Sequence, residues 1–294
     1  MNNKTKGILC ILFAAFSFTL MSVFIKLAGN LPAQEKAFFR NIFAFVIAFI
    51  IMKRQKVEFK IEKENILPLV LRALLGTVGM VCNFYAIDHL VIADANMLNK
   101  LSPFFTIIFS YIILKEDVKT IQWLAILGAF VGSLFIIKPS FANAALFPSM
   151  IGLCGGISAG AAYSMLRLLG KKNVNRSFIV LFFSAFSSLI TFPLMMINYV
   201  PMTLNQWIIM GLVAISATGG QFGLTYAYYY APANEISIYD YSQIVFAAIF
   251  GFIIFNQTPD LFSILGYLII SAMALIMFFY NNGKLSIKSL KHKI

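Results

Sequence analysis

The segment IADANMLNKLSPFFTIIFSYIILKED, residues 92–117, has a counterpart 141 positions later in ANEISIYDYSQIVFAAIFGFIIFNQT, residues 233–258. The same shift places GTVGMVCNFYAI (76–87) on ATGGQFGLTYAY (217–228) without a gap. Four polar pairs fall in register, namely Asp94 with Glu235, Asn96 with Ser237, Asn99 with Asp240, and Lys100 with Tyr241. Self-similarity at a fixed separation indicates two copies of one structural unit.

The hydropathy pattern around this segment is that of a membrane protein. Of the 294 residues, 60% are hydrophobic and 12% are charged, whereas a soluble domain has about 25% charged residues. Apolar runs of the length that crosses a bilayer, about 20 residues, predict an all-α integral membrane protein with ten transmembrane helices. These ten spans are predicted at 7–29, 36–52, 66–87, 92–114, 119–137, 147–168, 177–198, 205–228, 233–255 and 261–280.

The repeat and the span count together predict an inverted topology. Each copy contains five spans, so the second copy enters the membrane with the opposite polarity. The predicted units are residues 7–137 and 147–280, followed by a basic cytoplasmic tail at 281–294. Secondary transporters are commonly built from such inverted repeats, with the substrate site near the bilayer midplane where the halves meet.

The distribution of Lys and Arg predicts the orientation. Of the 23 basic residues, 17 fall at the N-terminus, in the even-numbered connectors and in the tail. Because basic residues flanking spans are retained in the cytoplasm, both termini are expected there, in a bacterial plasma membrane. The basic residues lie in short segments between apolar runs, so no nucleic-acid partner is expected.

Spans 4 and 9 hold the main candidate site residues. A charged side chain at a span centre costs about 2.5–3.5 kcal/mol on insertion scales, so such groups tend to face a cavity. Helical spacing puts Asn96, Asn99 and Lys100 on one stripe, with Ser237, Asp240 and Tyr241 on its counterpart. Lys100 and Asp240 are predicted to lie across a shared cavity, paired when it is empty or bound to the opposite charges of a zwitterionic substrate. The alternative is a fixed interhelical ion pair with a structural role only.

Further candidates lie around these stripes. Asp94, Glu235 and Asp240 are candidates for proton coupling, although Asp94 and Glu235 also fit solvated interfacial carboxylates. Arg40 and Arg72 fit either an anion anchor at the cavity mouth or side chains that extend to the headgroups from a span end. Tyr163 and Tyr226 fit either ligand stacking or packing. Asp88 and His89, beside a short external connector, are expected to be solvated.

Signals for catalysis or metal binding are missing from the sequence. There are two His residues and no HExxH, GxSxG, Walker or CxxC motif, so no enzyme, cofactor or metal site is predicted. Small-residue ridges instead predict close helix packing, with a homodimer contact as the alternative. These ridges are Gly152, Gly156 and Gly160 on span 6, and Gly128 and Gly132 on span 5.

With these features the chain resembles the EamA family of the drug/metabolite transporter superfamily. The resemblance rests on Phe39-Arg40 opening span 2, Pro103 within span 4 followed by LKED (114–117), and span 9 ending in FNQTPD (255–260). Ile244 and Gln257 depart from the family pattern, in the places of a proline and an acid. The resemblance implies a ten-helix inverted repeat with a central cavity lined by spans 1, 3, 4, 6, 8 and 9. The starts of spans 2 and 3, FFR (38–40) and LR (71–72), look similar to the S-adenosylmethionine uptake group.

The predicted function is therefore transport. We expect a secondary active transporter that moves an amino acid, S-adenosylmethionine or a similar zwitterion or cation through the lipid bilayer by alternating access. One alternative is an exporter of apolar or toxic metabolites and drugs. Another is a membrane scaffold or enzyme that keeps the fold without transporting.

Overall fold

A computed structural model describes residues 3–55, 61–115, 118–138, 145–230 and 237–281. Over these ranges the chain forms ten helical crossings and no strand. We keep the span numbers for the observed crossings. Spans 1 to 5 are Asn3–Leu27, Ala33–Gln55, Lys63–His89, the pair Ile92–Asn99 and Ser102–Leu114, and Thr120–Ile137. Spans 6 to 10 are Leu146–Lys171, Arg176–Ile197, Leu204–Tyr230, the 3₁₀ turn Ser237–Tyr241 with the helix Ser242–Phe255, and Leu261–Asn281.

The structure confirms the all-α membrane architecture. Eight of the described helical segments are long and apolar enough to cross a membrane, and Tyr239–Phe255 is a shorter apolar helix. Span 2 is also long, but it carries Glu35 and Lys36 near its start, Arg40 further inside, and Lys53 and Arg54 at its end. The predicted span ends agree with the observed ones to within four residues wherever the end is described.

The packing of the spans follows a pseudo-twofold relation between the halves. Span 1 packs along span 8, and span 3 packs in the same way along span 6, which is the contact expected when each span number is shifted by five. Spans 2 and 7 pack on each other, as do spans 5 and 10, and both pairings map onto themselves under that shift. The extensive interfaces therefore join the first five spans to the last five, so the core of the bundle lies between the halves.

Span 4 is interrupted, which the prediction of one continuous helix over 92–114 did not include. Pro103 has no N–H to donate and disfavours the helical conformation of the residue before it. At the interruption Leu101 N donates to Leu98 O at 3.2 Å, and Phe104 N donates to Leu101 O at 3.0 Å. These shorter-range bonds leave the carbonyl of Lys100 without its usual helical donor. Span 9 has a matching 3₁₀ turn at Ser237–Tyr241 even though it has no proline there.

The glycine ridge on span 6 holds this interruption in place. A Cβ added at Gly156 would lie 2.6 Å from the carbonyl oxygen of Leu98, and one at Gly160 would lie 2.8 Å from that of Ser102. Both contacts are too close for any side chain. The ridge predicted for helix packing thus packs inside the bundle, against the backbone that presents Lys100.

Candidate functional site

An ion pair between the two halves lies at the centre of the candidate site. Lys100 Nζ, at the interruption of span 4, pairs with Asp240 Oδ2, in the 3₁₀ turn of span 9. The two side chains are 11% and 23% exposed, so the pair is buried but reachable. The second oxygen, Asp240 Oδ1, is buried and has no hydrogen-bond partner. A substrate ammonium group would find an unused acceptor there.

A second bond connects the same two interruptions. Tyr241 Oη donates to the carbonyl oxygen of Lys100 at 3.2 Å, which uses the carbonyl that the break in span 4 leaves free. Asn99 precedes Lys100 and is partly exposed. Ser237 begins the turn of span 9, and its side chain lies outside what the structure describes. Lys100, Asp240 and Tyr241 therefore come together from the two predicted stripes.

Asn96 takes a different place from the one its stripe predicted. Its Oδ1 accepts from Ser22 Oγ at 3.3 Å and from Gln243 Nε2 at 3.0 Å. Its Nδ2 donates to the carbonyl of Ile92 at 2.9 Å. Because these bonds engage both ends of the amide, Asn96 ties spans 1, 4 and 9 together in this conformation and does not point into the Lys100–Asp240 site.

Asp94 lies within the bundle and is not a solvated interfacial carboxylate. The residue is 9% exposed, and Asp94 Oδ1 accepts from Tyr267 Oη on span 10 at 2.6 Å. Its repeat counterpart Glu235 lies outside the described residues. The hydrogen bond to Tyr267 connects the start of span 4 to a span that packs mainly on span 5.

Arg40 and Arg72 lie deeper than predicted. Each stands four residues before the centre of its helix, about 6 Å along the axis, and not near a span end. Both Nε atoms are buried without a hydrogen-bond partner. The Arg72 guanidinium lies over the ring of Phe183 at 4.7 Å. Extension to the headgroups therefore does not describe either side chain.

Tyr163 lies within electrostatic range of Arg72, Asp240 and Arg40. The residue is 42% exposed. Tyr226, the other predicted tyrosine, instead stacks on Tyr230 with ring centroids 6.4 Å apart, at the end of span 8.

A second buried ion pair corrects the prediction that Asp88 is solvated. Lys36 Nζ lies 2.6 Å from Asp88 Oδ1, and the Lys36 side chain is 0% exposed. Lys36 Nζ also donates to the carbonyl of Gly29 at 3.0 Å. His89, in contrast, is exposed and stacks on Tyr85. A fully buried lysine requires a carboxylate as its partner. The sequence did not single out Lys36 or Glu35, because both stand at the start of a helix, where charged side chains are usually solvated.

Hydrogen bonds between the halves close the same end of the bundle. Three of them cross directly, at Gln206 Nε2 to Ala28 O (3.1 Å), Val200 N to Glu35 Oε2 (3.3 Å), and Ile92 N to Gln257 Oε1 (3.2 Å). All lie at the end where spans 1, 3, 7 and 9 finish. Movement of one half against the other to open this end must break them.

An exposed ion pair lies at the same end, outside the spans. Lys138 Nζ pairs with Asp260 Oδ2, and the side chains are 33% and 52% exposed. Partial burial opposes ionisation of Asp260, but the hydrogen bonds from Lys138 and Ser263 outweigh it and hold the pKa of this carboxyl below its usual value.

No cluster of three or more His, Cys, Asp or Glu side chains suited to a metal occurs among the described residues. Cys10, Cys82 and Cys154 are free thiols. The Lys100–Asp240 pair and the bond from Tyr241 offer charge pairing and hydrogen bonding.

Comparison with known proteins points to transport. A model of the EamA-like transporter family matches residues 5–138 and again residues 147–279. The chain is 32% identical over 268 residues to the pseudopaline exporter CntI of Pseudomonas aeruginosa, covering 90% of this chain and 93% of that protein. It is 25% identical over 287 residues to the S-adenosylmethionine uptake transporter of Rickettsia prowazekii, covering 96% and 95%. A solved crystal structure shares the fold with a TM-score of 0.64 and 12% identity, over 96% of this chain and 99% of that one.

Proposed function

Since the chain belongs to the EamA-like transporter family, we propose that it is a secondary transporter that carries a small zwitterionic metabolite across the bacterial plasma membrane by alternating access. The observation that carries the proposal is the Lys100–Asp240 pair. It joins the interrupted spans of opposite halves, and it leaves one carboxylate oxygen without a partner. Interrupted helices at a repeat interface are typical of transporter binding sites.

The moving parts are the two five-span units, residues 7–137 and 147–280, with 281–294 as a basic tail. The family match to 5–138 and 147–279 supports this division. Both termini lie in the cytoplasm in this proposal, so the hydrogen-bonded end described above is extracellular. Rocking of one unit against the other breaks the three hydrogen bonds described at that end and exposes the ion pair to the other side.

In this proposal the substrate separates Lys100 from Asp240 and forms an ion pair with each of them. Its amino group binds Asp240 and its carboxylate binds Lys100, with Asn99, Tyr241 and Tyr163 beside them. Ser237, Asn96 and Tyr226 belong to the same proposed set of binding residues. An amino acid or a related metabolite fits this arrangement. A cation such as S-adenosylmethionine is the second candidate, because a relative of 25% identity carries that name. The named relatives include an exporter and an importer, so the proposal covers either direction.

Coupling to protons belongs to the same proposal. Asp94, Glu235 and Asp240 are the carboxylates assigned to it, and the burial of Asp94 beside Tyr267 supports its inclusion. An imposed proton gradient should change the rate of uptake into proteoliposomes. If neither acidification nor a gradient has an effect, the transporter is a facilitated exchanger.

The first test is ligand binding followed by flux. The purified protein is screened by thermal shift against amino acids, S-adenosylmethionine, nucleosides, vitamins and quaternary amines. A ligand at 100 times its dissociation constant stabilises the folded state by about 2.7 kcal/mol. Stabilisation by one chemical class, together with counterflow of that class in proteoliposomes, is expected for the unaltered protein and is expected to disappear in Asp240→Asn. Asp260→Asn, which removes an exposed carboxylate outside the spans, is the matched control.

Exchange of the two charges separates binding from structure. In Lys100→Asp with Asp240→Lys, transport restored with unchanged selectivity would show that the pair only holds the helices together. The proposal would be contradicted if a folded variant with alanine at Asn99, Lys100 and Asp240 still moved every solute at the normal rate. It would also be contradicted if the parent protein moved no solute. Either result would favour a scaffold or an enzyme. Flux confined to apolar compounds would favour a drug exporter.

A further inference from the structure

Two partly buried arginines act electrostatically on Tyr163, as Asp240 of the candidate site does. Arg40 Nη1 donates to Asn41 Oδ1 at 3.0 Å and contacts Met80 Sδ at 3.4 Å. Arg72 stacks on Phe183. Among the described residues, no carboxylate lies within 4.0 Å of either guanidinium, since the ion pairs there all involve lysines. Both Nε donors remain unused.

The chain makes room for one of these groups. A Cβ added at Gly76 would lie 2.3 Å from Arg72 Nη1 and 2.9 Å from Phe183 Cε2. A side chain at position 76 would therefore displace the guanidinium or the ring from this contact. A guanidinium that lies over a ring can still use its N–H donors to meet a planar anion.

The charges that the structure describes near the pair do not balance. Arg40, Arg72 and Asp240 all act electrostatically on Tyr163, and the two arginines act on each other. Together with Lys100, the described residues of this region contribute three cations and one anion, while Glu235 lies outside the described residues. Charges withdrawn from water are unfavourable unless they are paired. The surplus of positive charge among the described residues is suited to an anionic ligand.

We propose that the transported metabolite is an amino compound with at least two carboxylates and a net negative charge. Its amino group binds at Asp240, and its carboxylates bind the guanidinium groups of Arg40 and Arg72 and the ammonium group of Lys100. Two separated guanidiniums suit two carboxylates, because each can form the parallel, bidentate bonds that arginine makes with this group. This inference rests on the proposed transport function and specifies its substrate class.

Matched ligand pairs test the charge requirement. The probes are aspartate and asparagine, glutamate and glutamine, and N-carboxymethyl amino acids with their monoamides, which differ by one charge at nearly equal size. In thermal shift and counterflow, the acidic member of at least one pair is expected to bind about tenfold more tightly than its amide. Arg72→Gln should remove the preference for the acid over its amide. Gly76→Ala should also remove it, although this substitution changes no charge. Arg54→Gln removes an exposed charge at the end of span 2 and is the control.

The ligand-free protein provides a second readout. If Arg72 is present for an anion, Arg72→Gln removes a partly buried charge that has no carboxylate partner among the described residues. The substitution should then raise the melting temperature while it weakens acid binding. A lowered melting temperature with unchanged ligand preference would instead make the arginine structural and overturn the proposal.

The outcomes also separate this inference from the proposed function. Binding and flux of amides or cations that exceed those of the acids, lost in Asp240→Asn, would leave transport standing and overturn the acidic substrate. Equal binding of acids and amides would do the same. Absence of binding and flux for every probe class would overturn both.

Discussion

The contact between Gly156 and the interruption of span 4 leads to a quantitative prediction. The substitution Gly156→Ala adds a Cβ that would lie 2.6 Å from the carbonyl oxygen of Leu98, whereas ordinary contact begins at 3.4 Å. The two backbones must therefore separate by about 0.8 Å, since a backbone carbonyl cannot rotate away as a side chain can. Overpacking of this kind costs about 1–3 kcal/mol, partly offset by the gain of about 1 kcal/mol in helix propensity from Gly to Ala.

The separation should also affect the site. Tyr241 Oη and the carbonyl of Lys100 are 3.2 Å apart, so a shift of span 4 by that amount disturbs this hydrogen bond. We expect Gly156→Ala to melt a few degrees lower in detergent, at about 2–4 °C per kcal/mol, and to transport more slowly. Both properties are measured on the same purified protein, by thermal unfolding and by counterflow.

Gly211→Ala is the matched control. Gly211 is also helical, and a Cβ built on it meets nothing within 4 Å, so its substitution should be neutral or slightly stabilising. If Gly156→Ala unfolds at the same temperature as Gly211→Ala and transports at the normal rate, the reasoning is refuted, because the close contact then does not position the interruption.

Three further predictions concern the closed end of the bundle. Asp88→Asn should destabilise the protein by about 3–5 kcal/mol in thermal unfolding, because it leaves the fully buried Lys36 without its carboxylate; a loss as small as that of an exposed pair would contradict this. Asp260→Asn should cost less than about 1 kcal/mol, because its pair with Lys138 is exposed. Folding lowers the pKa of Asp260, so the stability that this carboxylate contributes is present above its unfolded pKa of 3.8 and is lost as pH falls through its folded pKa. The difference in stability between Asp260→Asn and the parent protein should therefore vanish in acid. A difference that grows in acid would contradict the direction of this pKa shift. Gly29→Ala should cost about 1–2 kcal/mol, because the residue has φ +66°, and an unchanged melting temperature would argue against that conformation.

The sequence alone determined the architecture and the correspondence between the polar positions of spans 4 and 9. Hydropathy reports each crossing locally, since every bilayer span must be apolar over about 20 residues. The shift of 141 positions relates the two halves, and it aligns Lys100 with Tyr241 and Asn99 with Asp240. These features repeat along the chain, so they can be recognised in the sequence without knowing how the helices rotate against each other.

Only the tertiary structure decided which polar groups meet. Arg40, Arg72 and Tyr163 come from three spans, and their convergence depends on the rotation and depth of each helix, which the hydropathy of a span does not specify. The pairing of Lys36 with Asp88 and the engagement of Asn96 by Ser22 and Gln243 likewise follow from packing. That packing is set by close backbone approaches, such as Gly156 on Leu98 and Gly79 on Ala159, between residues far apart in the chain. The distribution of charge inside the bundle is therefore a property of the packed helices.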